Sequence, residues 1–205
     1  MTIDHSLLVL GGARSGKSRY AQARAEATLL TAPVFTGENC RYAQARAEAT
    51  GLDRCFIATA QAFDDEMHDR IARHQQDRDA LWHTVEAPMA LAEAIRANAA
   101  PGRVLLIDCL TLWTSNLLLA DRDIDTATDN LVAAITAAPG PIILVANEVG
   151  LGIVPDNALA RRFRDAAGLL NQRVAATVRE VQFLAAGLPL TLKGVAPLAQ
   201  PGATG

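Results

Sequence analysis

The sequence predicts an α/β fold in which a mostly parallel sheet is flanked by helices. Short, continuously apolar runs alternate with longer stretches of helical character, as strands and crossover helices do in such folds. The composition agrees, because 50% of the residues are hydrophobic while only 4% are aromatic. A chain rich in alanine and poor in aromatic residues suits helices packed closely on a sheet better than an all-β sandwich.

Four apolar runs are predicted to form the central strands. Continuous rather than alternating hydrophobicity is what strands covered on both faces require. The runs occur at Ser6–Leu10, Cys55–Ala58, Arg103–Ile107 and Ile142–Ala146.

Helices are predicted between and after these strands, and a hairpin is predicted near the C-terminus. Val181–Ala185 and Pro189–Leu192 flank Gly187, a pattern typical of a hairpin or a pair of edge strands. The predicted helices are Lys17–Thr28, Asp64–Asp79, Pro88–Asn98, Thr111–Leu119, Thr126–Ala137 and Asn157–Arg179.

The chain of 205 residues is predicted to form one domain over residues 1–195, followed by a flexible tail at 196–205. Inside the domain, the segment RYAQARAEAT at Arg19–Thr28 recurs identically at Arg41–Thr50. Two copies are too few for a solenoid fold. We therefore interpret residues 29–50 as a duplicated insert, a structural excursion rather than a functional element.

Charge and cysteine content exclude several classes of protein. The net charge of −3 leaves no basic footprint, so no nucleic-acid partner is expected. No apolar run approaches the length of a membrane span, and the N-terminal residues lack the basic start of a signal peptide. Cys40, Cys55 and Cys109 show no metal-binding or disulfide pattern. These features together predict a cytoplasmic protein with reduced thiols.

A glycine-rich segment, GGARSGKS, matches the phosphate-loop pattern GxxxxGK[ST] in full. In such a loop, backbone N–H groups point at phosphate oxygens, and the N-terminal end of the following helix adds positive charge. Lys17 is predicted to reach the β and γ phosphates, and the Ser18 hydroxyl to coordinate Mg²⁺. The predicted nucleotide-binding residues of the loop are Gly11, Gly12, Ala13, Arg14, Ser15, Gly16, Lys17 and Ser18.

Two carboxylates follow predicted strands, at the edge where ligands of open α/β sheets bind. Asp108 ends the run Val104–Asp108, in which four apolar residues lead to an acid. Beside a phosphate loop, this arrangement favours a carboxylate that supports Mg²⁺ or orients a nucleophile. Asp108 is therefore a second candidate ligand for Mg²⁺ beside Ser18, and Glu148 is a further carboxylate at a strand end.

A histidine lies between two arginines on the predicted helix Asp64–Asp79. Arg70, His74 and Arg78 are spaced four apart and share one face of that helix. The two guanidinium groups disfavour the imidazolium, which would leave the imidazole neutral and nucleophilic while the arginines hold phosphates. Such an arrangement suits attack of histidine on phosphorus. From the spacing alone, however, a solvated charged face with an incidental histidine is the preferred interpretation.

Taken together, these motifs resemble the bifunctional adenosylcobinamide kinase and adenosylcobinamide-phosphate guanylyltransferase family of cobalamin biosynthesis. The segments that carry the resemblance span most of the chain. They are GGARSGKSRYA at Gly11–Ala21, FIATAQAFDDEM at Phe56–Met67, RIARHQQDR at Arg70–Arg78, WHTVEAP at Trp82–Pro88, LLIDCLTLWTSNLL at Leu105–Leu118 and NEVGLGIVPDNALARRFRDAAGLLNQRVA at Asn147–Ala175.

The resemblance implies roles for residues that spacing alone does not assign. It implies a RecA-like P-loop fold, assembly as a ring-like trimer with sites between subunits, and His74 as the residue that takes up GMP covalently. The family has no counterpart of Leu29–Thr50. Its further GTP contacts fall on Ala58, Thr59, Ala60, Gln75, Gln76, Asp77, Arg78, Glu86 and Asp108.

The activity that the resemblance implies has two stages. Adenosylcobinamide is phosphorylated with ATP or GTP, and GMP then passes from GTP through a GMP-histidine to give adenosylcobinamide-GDP, with Mg²⁺ as the cofactor. Two alternatives remain open at this point. One is a monofunctional P-loop small-molecule kinase in which His74 is inert, and the other is a nucleotide-dependent switch or ATPase subunit that has no acceptor substrate.

Overall fold

The computed structural model of the protein describes residues 6–30, 53–61 and 82–194. In these parts of the chain, strands and helices alternate from the first strand to the last helix. The strands are β1 (Ser6–Gly11), β2 (Asp53–Ala58), β3 (Trp82–Glu86), β4 (Arg103–Asp108), β5 (Ile142–Asn147), β6 (Glu180–Ala185) and β7 (Leu188–Lys193). The helices are α1 (Lys17–Leu30), α2 (Leu91–Asn98), α3 (Leu110–Leu119), α4 (Ile124–Ala137) and α5 (Ala158–Thr177).

The seven strands form one sheet in the order β3-β2-β4-β5-β1-β6-β7. Every pairing is parallel except that of β6 with β7, which is antiparallel. The predicted α/β class and the predicted C-terminal hairpin are therefore confirmed. Strand β5 lies between β1 and β4, and the topology is consistent with the RecA-like fold.

Helices cover both faces of the sheet, which explains the continuous hydrophobicity of its central strands. In β1, Leu8 and Leu10 belong to one apolar cluster and Leu7 and Val9 to the other. The first cluster includes buried side chains from α2, α3, α4 and α5, and the second includes Ala21 and Ala25 of α1 in the described part of the chain. Small alanine side chains let α1 lie close to the sheet.

Strand β3 was not predicted from the sequence. It lies at the edge of the sheet beside β2, and only Trp82 of its residues is buried. His83, Thr84 and Glu86 are exposed, so the strand carries no continuous apolar run. An edge strand of this kind lacks the pattern that marks a strand buried on both faces.

Two helix starts in the described ranges differ from the predicted boundaries by two residues or more. Helix α2 begins at Leu91 instead of Pro88, and α4 begins at Ile124 instead of Thr126. The second difference has a clear cause, because Asp123 caps α4 by accepting hydrogen bonds from the backbone N–H groups of Asp125 and Thr126. Its side chain thereby extends the helix by two residues toward the N-terminus.

Several predictions concern residues outside the described ranges. They are the helix Asp64–Asp79 with His74, most of the duplicated insert at 29–50, and the tail at 196–205. Helix α1 does continue through Thr28, the end of the first repeat copy, to Leu30. Within residues 6–30, 53–61 and 82–194, no helix combines the length and apolarity needed to cross a bilayer.

Candidate active site at the carboxyl edge of the sheet

The predicted phosphate loop connects β1 to α1. Its backbone turns sharply at Gly11, Arg14 and Gly16, whose φ angles are 154°, 54° and 92°. Gly11 is also closely packed, since a Cβ atom there would lie 2.5 Å from the carbonyl oxygen of Leu184 and 2.7 Å from Ser15 Oγ. Only glycine fits that position, as the loop motif requires.

Lys17 is the first residue of α1 and lies almost completely buried at the loop, with 7% of its surface exposed. Its Nζ atom donates a hydrogen bond to the carbonyl oxygen of Gly12 at 2.6 Å. The ammonium group is therefore held across the loop. A buried cation in this position is suited to binding phosphate oxygens.

Ser18 and Asp108 meet although they are far apart in the sequence. The Ser18 hydroxyl donates a hydrogen bond to Asp108 Oδ2 at 2.7 Å, which joins the start of α1 to the end of β4. The two predicted Mg²⁺ ligands are thus brought together. Two oxygen atoms at this separation are near enough to act as neighbouring ligands of one cation.

A buried polar network holds the backbone on both sides of Asp108. Thr59, which is fully buried, donates from Oγ1 to the carbonyl oxygen of Cys109 at 2.7 Å and accepts from the Cys109 N–H at 2.8 Å. The Thr59 N–H donates to the carbonyl oxygen of Asp108 at 3.3 Å. Asn116 of α3 completes the network, because its Nδ2 donates to the carbonyl oxygens of Thr59 and Pro88.

This network was not predicted, and it gives Thr59 a structural role. The family resemblance assigns Ala58, Thr59 and Ala60 to nucleotide contacts, and that assignment stays a prediction. In the structure, the contacts of Thr59 are with the end of β4 and with Asn116. Asn116 gave no signal in the sequence, because its partners lie on two distant loops.

The register of the sheet aligns three of the predicted site residues. Ala58 at the end of β2 is paired with Asp108 on one side and with Glu86 on the other. These residues therefore form a row along the carboxyl edge, where open α/β sheets bind their ligands. The Glu86 side chain is exposed at the outer end of this row.

The next strand toward β1 connects this row to the phosphate loop. Asn147 at the end of β5 is paired with Gly11, and the Glu148 N–H donates to the Gly11 carbonyl oxygen at 3.1 Å. The Glu148 carboxylate accepts a hydrogen bond from the Gly150 N–H at 2.6 Å. Glu148 therefore stabilises the loop that follows β5 while its backbone holds the phosphate loop.

The turn between β6 and β7 contacts the phosphate loop from the other side. Ala186 and Gly187 have φ angles of 51° and 81°, as in the tight turns that join hairpin strands. The Gly187 N–H donates to the carbonyl oxygen of Ser15 at 3.1 Å. The sequence predicted the hairpin but gave no sign of this contact.

Cys109 is adjacent to Asp108 but is not a candidate nucleophile. Burial raises the pKa of its thiol to about 11, with a smaller contribution from the nearby Asp108 carboxylate. At neutral pH the thiol is protonated, and a protonated thiol is a poor nucleophile.

The remaining predicted site residues lie outside the described ranges. They are His74 with Gln75, Gln76, Asp77 and Arg78. A cavity of about 280 Å³ is also present, but its lining comes from α3, α4, α5 and the turn between α3 and α4, and it includes no residue of the phosphate loop. Among the described residues, no cluster of three or more histidine, cysteine or acidic side chains could hold a metal ion.

Known proteins are similar to this chain over most of its length. The family model described as cobinamide kinase / cobinamide phosphate guanyltransferase matches residues 28–192. The bifunctional adenosylcobalamin biosynthesis protein CobP of Pseudomonas aeruginosa is 47% identical over 189 residues, which cover 91% of this chain and 96% of the relative. The protein CobU of Salmonella typhimurium, described in the same words, is 39% identical over 202 residues and covers 91% of this chain and 99% of the relative.

Similarity to solved structures is weaker. The flagellar accessory protein FlaH from Methanocaldococcus jannaschii superposes with a TM-score of 0.47 at 11% sequence identity. The match covers 93% of this chain and 79% of the other.

Proposed function

This chain belongs to the cobinamide kinase / cobinamide phosphate guanyltransferase family, and we propose that it performs both reactions that the family description names. The observation that carries the proposal is the Ser18–Asp108 contact of 2.7 Å beside the buried Lys17. It brings a cation, a hydroxyl and a carboxylate to one end of the phosphate loop. These are the groups that phosphoryl transfer from a nucleoside triphosphate needs.

In the first reaction, the γ-phosphate of ATP or GTP passes to the hydroxyl group of adenosylcobinamide. A bond forms between that hydroxyl oxygen and the γ-phosphorus, the bond to the β–γ bridging oxygen breaks, and the hydroxyl proton is released. Lys17 binds the β and γ phosphates and offsets their charge. Asp108, whose backbone is held by hydrogen bonds of Thr59 to Asp108 itself and to Cys109, orients the incoming hydroxyl or a group that contacts it.

Ser18 and Asp108 fit a bound Mg²⁺, because both supply oxygen atoms, the ligands that this cation prefers. Bound there, Mg²⁺ would neutralise negative charge on the transferred phosphate. The same two residues also keep the start of α1 and the end of β4 together through their hydrogen bond. Their substitution would therefore affect both the cation and the geometry of the loop.

In the second reaction, GMP passes from GTP to the cobinamide phosphate through His74. An imidazole nitrogen forms a bond to the α-phosphorus, and pyrophosphate leaves as the bond to the α–β bridging oxygen breaks. A phosphate oxygen of the acceptor then attacks the same phosphorus and releases His74, which yields adenosylcobinamide-GDP. Arg70 and Arg78 are the proposed stabilisers of charge on the α-phosphate.

Labelling with α-labelled GTP tests this scheme, with His74→Ala compared to the wild-type protein. The variant is expected to take up no label and to lose guanylyl transfer, because the nucleophile is gone. Its kinase turnover is expected to stay within about tenfold, because Lys17, Ser18 and Asp108 are unchanged. The label on the wild-type protein is expected to be released by acid and to resist base.

His83→Ala is the matched control, because His83 is an exposed histidine on β3. It is expected to be labelled as the wild-type protein is. Labelling of His74→Ala at the wild-type level would contradict the GMP-histidine step but not the kinase reaction. A wild-type protein that neither phosphorylates adenosylcobinamide nor takes up label would contradict the proposed function as a whole.

A further inference from the structure

Large apolar side chains are exposed on the loop between β5 and α5, defined as residues 148–157. Ile153 is 96% exposed and Leu151 is 81% exposed, and Val154 is also exposed. In the sequence from Val149 to Pro155 there is no charged residue. The loop therefore presents a continuous apolar and uncharged surface, which proteins rarely leave without a partner.

The 148–157 loop starts beside the phosphate loop. Its first residue, Glu148, donates its N–H to the Gly11 carbonyl oxygen at 3.1 Å. Strand β5, from which it leaves, lies between β1 and β4. The apolar surface is thus attached to the site at a point between the phosphate loop and Asp108.

Hydrogen bonds fix both ends of the loop. The Gly150 N–H donates to Glu148 Oε1 at 2.6 Å, and Arg161 Nη1 donates to the carbonyl oxygens of Pro155 and Asp156 at 2.8 and 2.7 Å. Asn157 caps α5 by accepting hydrogen bonds from Leu159 and Ala160. With both ends held, the apolar residues at 151–154 are presented outward rather than folded onto the core.

We propose that Leu151, Ile153 and Val154 contact the apolar face of the corrin ring of the acceptor and determine its affinity. This inference rests on the proposed function. The acceptor is a broad macrocycle, and its reacting hydroxyl or phosphate has to lie at the phosphate loop. Surfaces next to that loop then face the ring, and among them the 148–157 loop offers an uncharged, apolar surface.

A second exposed apolar strip in the described part of the chain suits a different occupant. Leu188, Leu190 and Leu192 lie along β7, the edge strand of the sheet. An edge strand offers unpaired backbone groups as well as side chains, a combination that favours another polypeptide chain over a small molecule. The corrin ring is therefore assigned to the 148–157 loop.

Steady-state kinetics of the double variant Leu151→Asn/Ile153→Asn test this assignment. The KM for adenosylcobinamide is expected to rise at least about tenfold, since hydrophobic contacts with a substrate discriminate on that scale. The KM for the cobinamide phosphate in the second reaction is expected to rise as well, because the same ring is bound. The KM for GTP and the labelling of the protein by α-labelled GTP, which needs no corrinoid, are expected to change less than about twofold.

The single variant Val154→Ser provides an independent, milder test, and Leu119→Asn is the matched control. Leu119 lies at the end of α3 and is 61% exposed, close to the 62% of Val154. Unchanged corrinoid KM values in both loop variants would overturn the proposal. It would also be overturned if light scattering showed that the loop variants changed the oligomeric state, since the loop would then cover a second copy of the chain. A wild-type protein without either activity would instead refute the proposed function.

Discussion

The segments that follow β4 and β5 leave neighbouring strands at the same edge of the sheet, yet they differ in what they expose. After β4, Asp108 and Cys109 are held by a buried network that includes Thr59 and Asn116. After β5, the loop presents Leu151 and Ile153 to the surroundings. Phosphoryl transfer requires charged atoms at fixed positions, and a saturated polar network supplies that rigidity. Binding a large apolar acceptor requires exposed apolar surface instead.

Of the variants that test this comparison, Lys17→Ala is expected to lose the most activity. Kinase turnover with ATP or GTP should fall by about a thousandfold, because the variant lacks the buried cation that we propose to bind the transferred phosphate. The KM for adenosylcobinamide should change little, since the acceptor surface lies on another loop. Lys193→Ala is the control, because Lys193 donates to the carbonyl oxygens of Ala175 and Ala176 at the end of α5. Retained turnover in Lys17→Ala would show that the loop does not serve the kinase reaction.

A smaller effect is expected from Asp108→Asn, which removes a charge and keeps the shape of the side chain. The kcat of the kinase reaction should fall about a hundredfold, and half-maximal activity should require more Mg²⁺. Both quantities are measured by titrating Mg²⁺ at saturating substrates.

Asp53→Asn is the matched control for that titration. Asp53 begins β2 at the opposite edge of the sheet and pairs with Arg103 at 2.7 Å, with its side chain 68% exposed. Such an exposed ion pair contributes little to stability, so kinase activity should be unchanged. An Asp108→Asn protein with a wild-type Mg²⁺ dependence would contradict the assignment of Asp108 to the cation.

The smallest effect is expected from Asn116→Ala, which acts on the network and not on the reacting groups. The variant leaves the carbonyl oxygens of Thr59 and Pro88 without this donor, so the free energy of unfolding should fall by about 1–3 kcal/mol. Urea denaturation measures the change, and kinase turnover should fall by less than about tenfold. In the control Asn98→Ala, a half-buried asparagine that donates to Ala94 within its own helix is removed. Equal stability of the two variants would show that the network does not hold the loop.

Much of the fold was predictable because its strongest signals are local. The central strands are buried on both faces, so each is marked by a short apolar run. The phosphate loop needs glycines and a lysine at fixed spacing, and the sequence shows them together. The position of Asp108 at the carboxyl edge of the sheet was predictable because the residue ends an apolar run, whereas its role in the reaction stays a prediction.

The features that were not predicted from the sequence depend on contacts between residues far apart in the chain. Strand β3 was missed because its polar side chains face outward at the edge of the sheet. Asn116 could not be distinguished from any other helical asparagine, since its role comes from the two loops that it joins. The contact of Gly187 with the phosphate loop was missed for the same reason: the sequence predicts the hairpin, but not the distant residue that its turn contacts.

The position of β1 in the sheet has a consequence for how the protein is made. Among the strands that the structure describes, β1 is synthesised first, but its two neighbours, β5 and β6, follow it by more than a hundred residues. Gly11 packs against Leu184, and Ser15 accepts a hydrogen bond from Gly187. The phosphate loop can therefore reach its final shape only after the residues up to Gly187 have left the ribosome. Contacts over such long sequence separations also slow folding, so the nascent protein acquires its nucleotide site late.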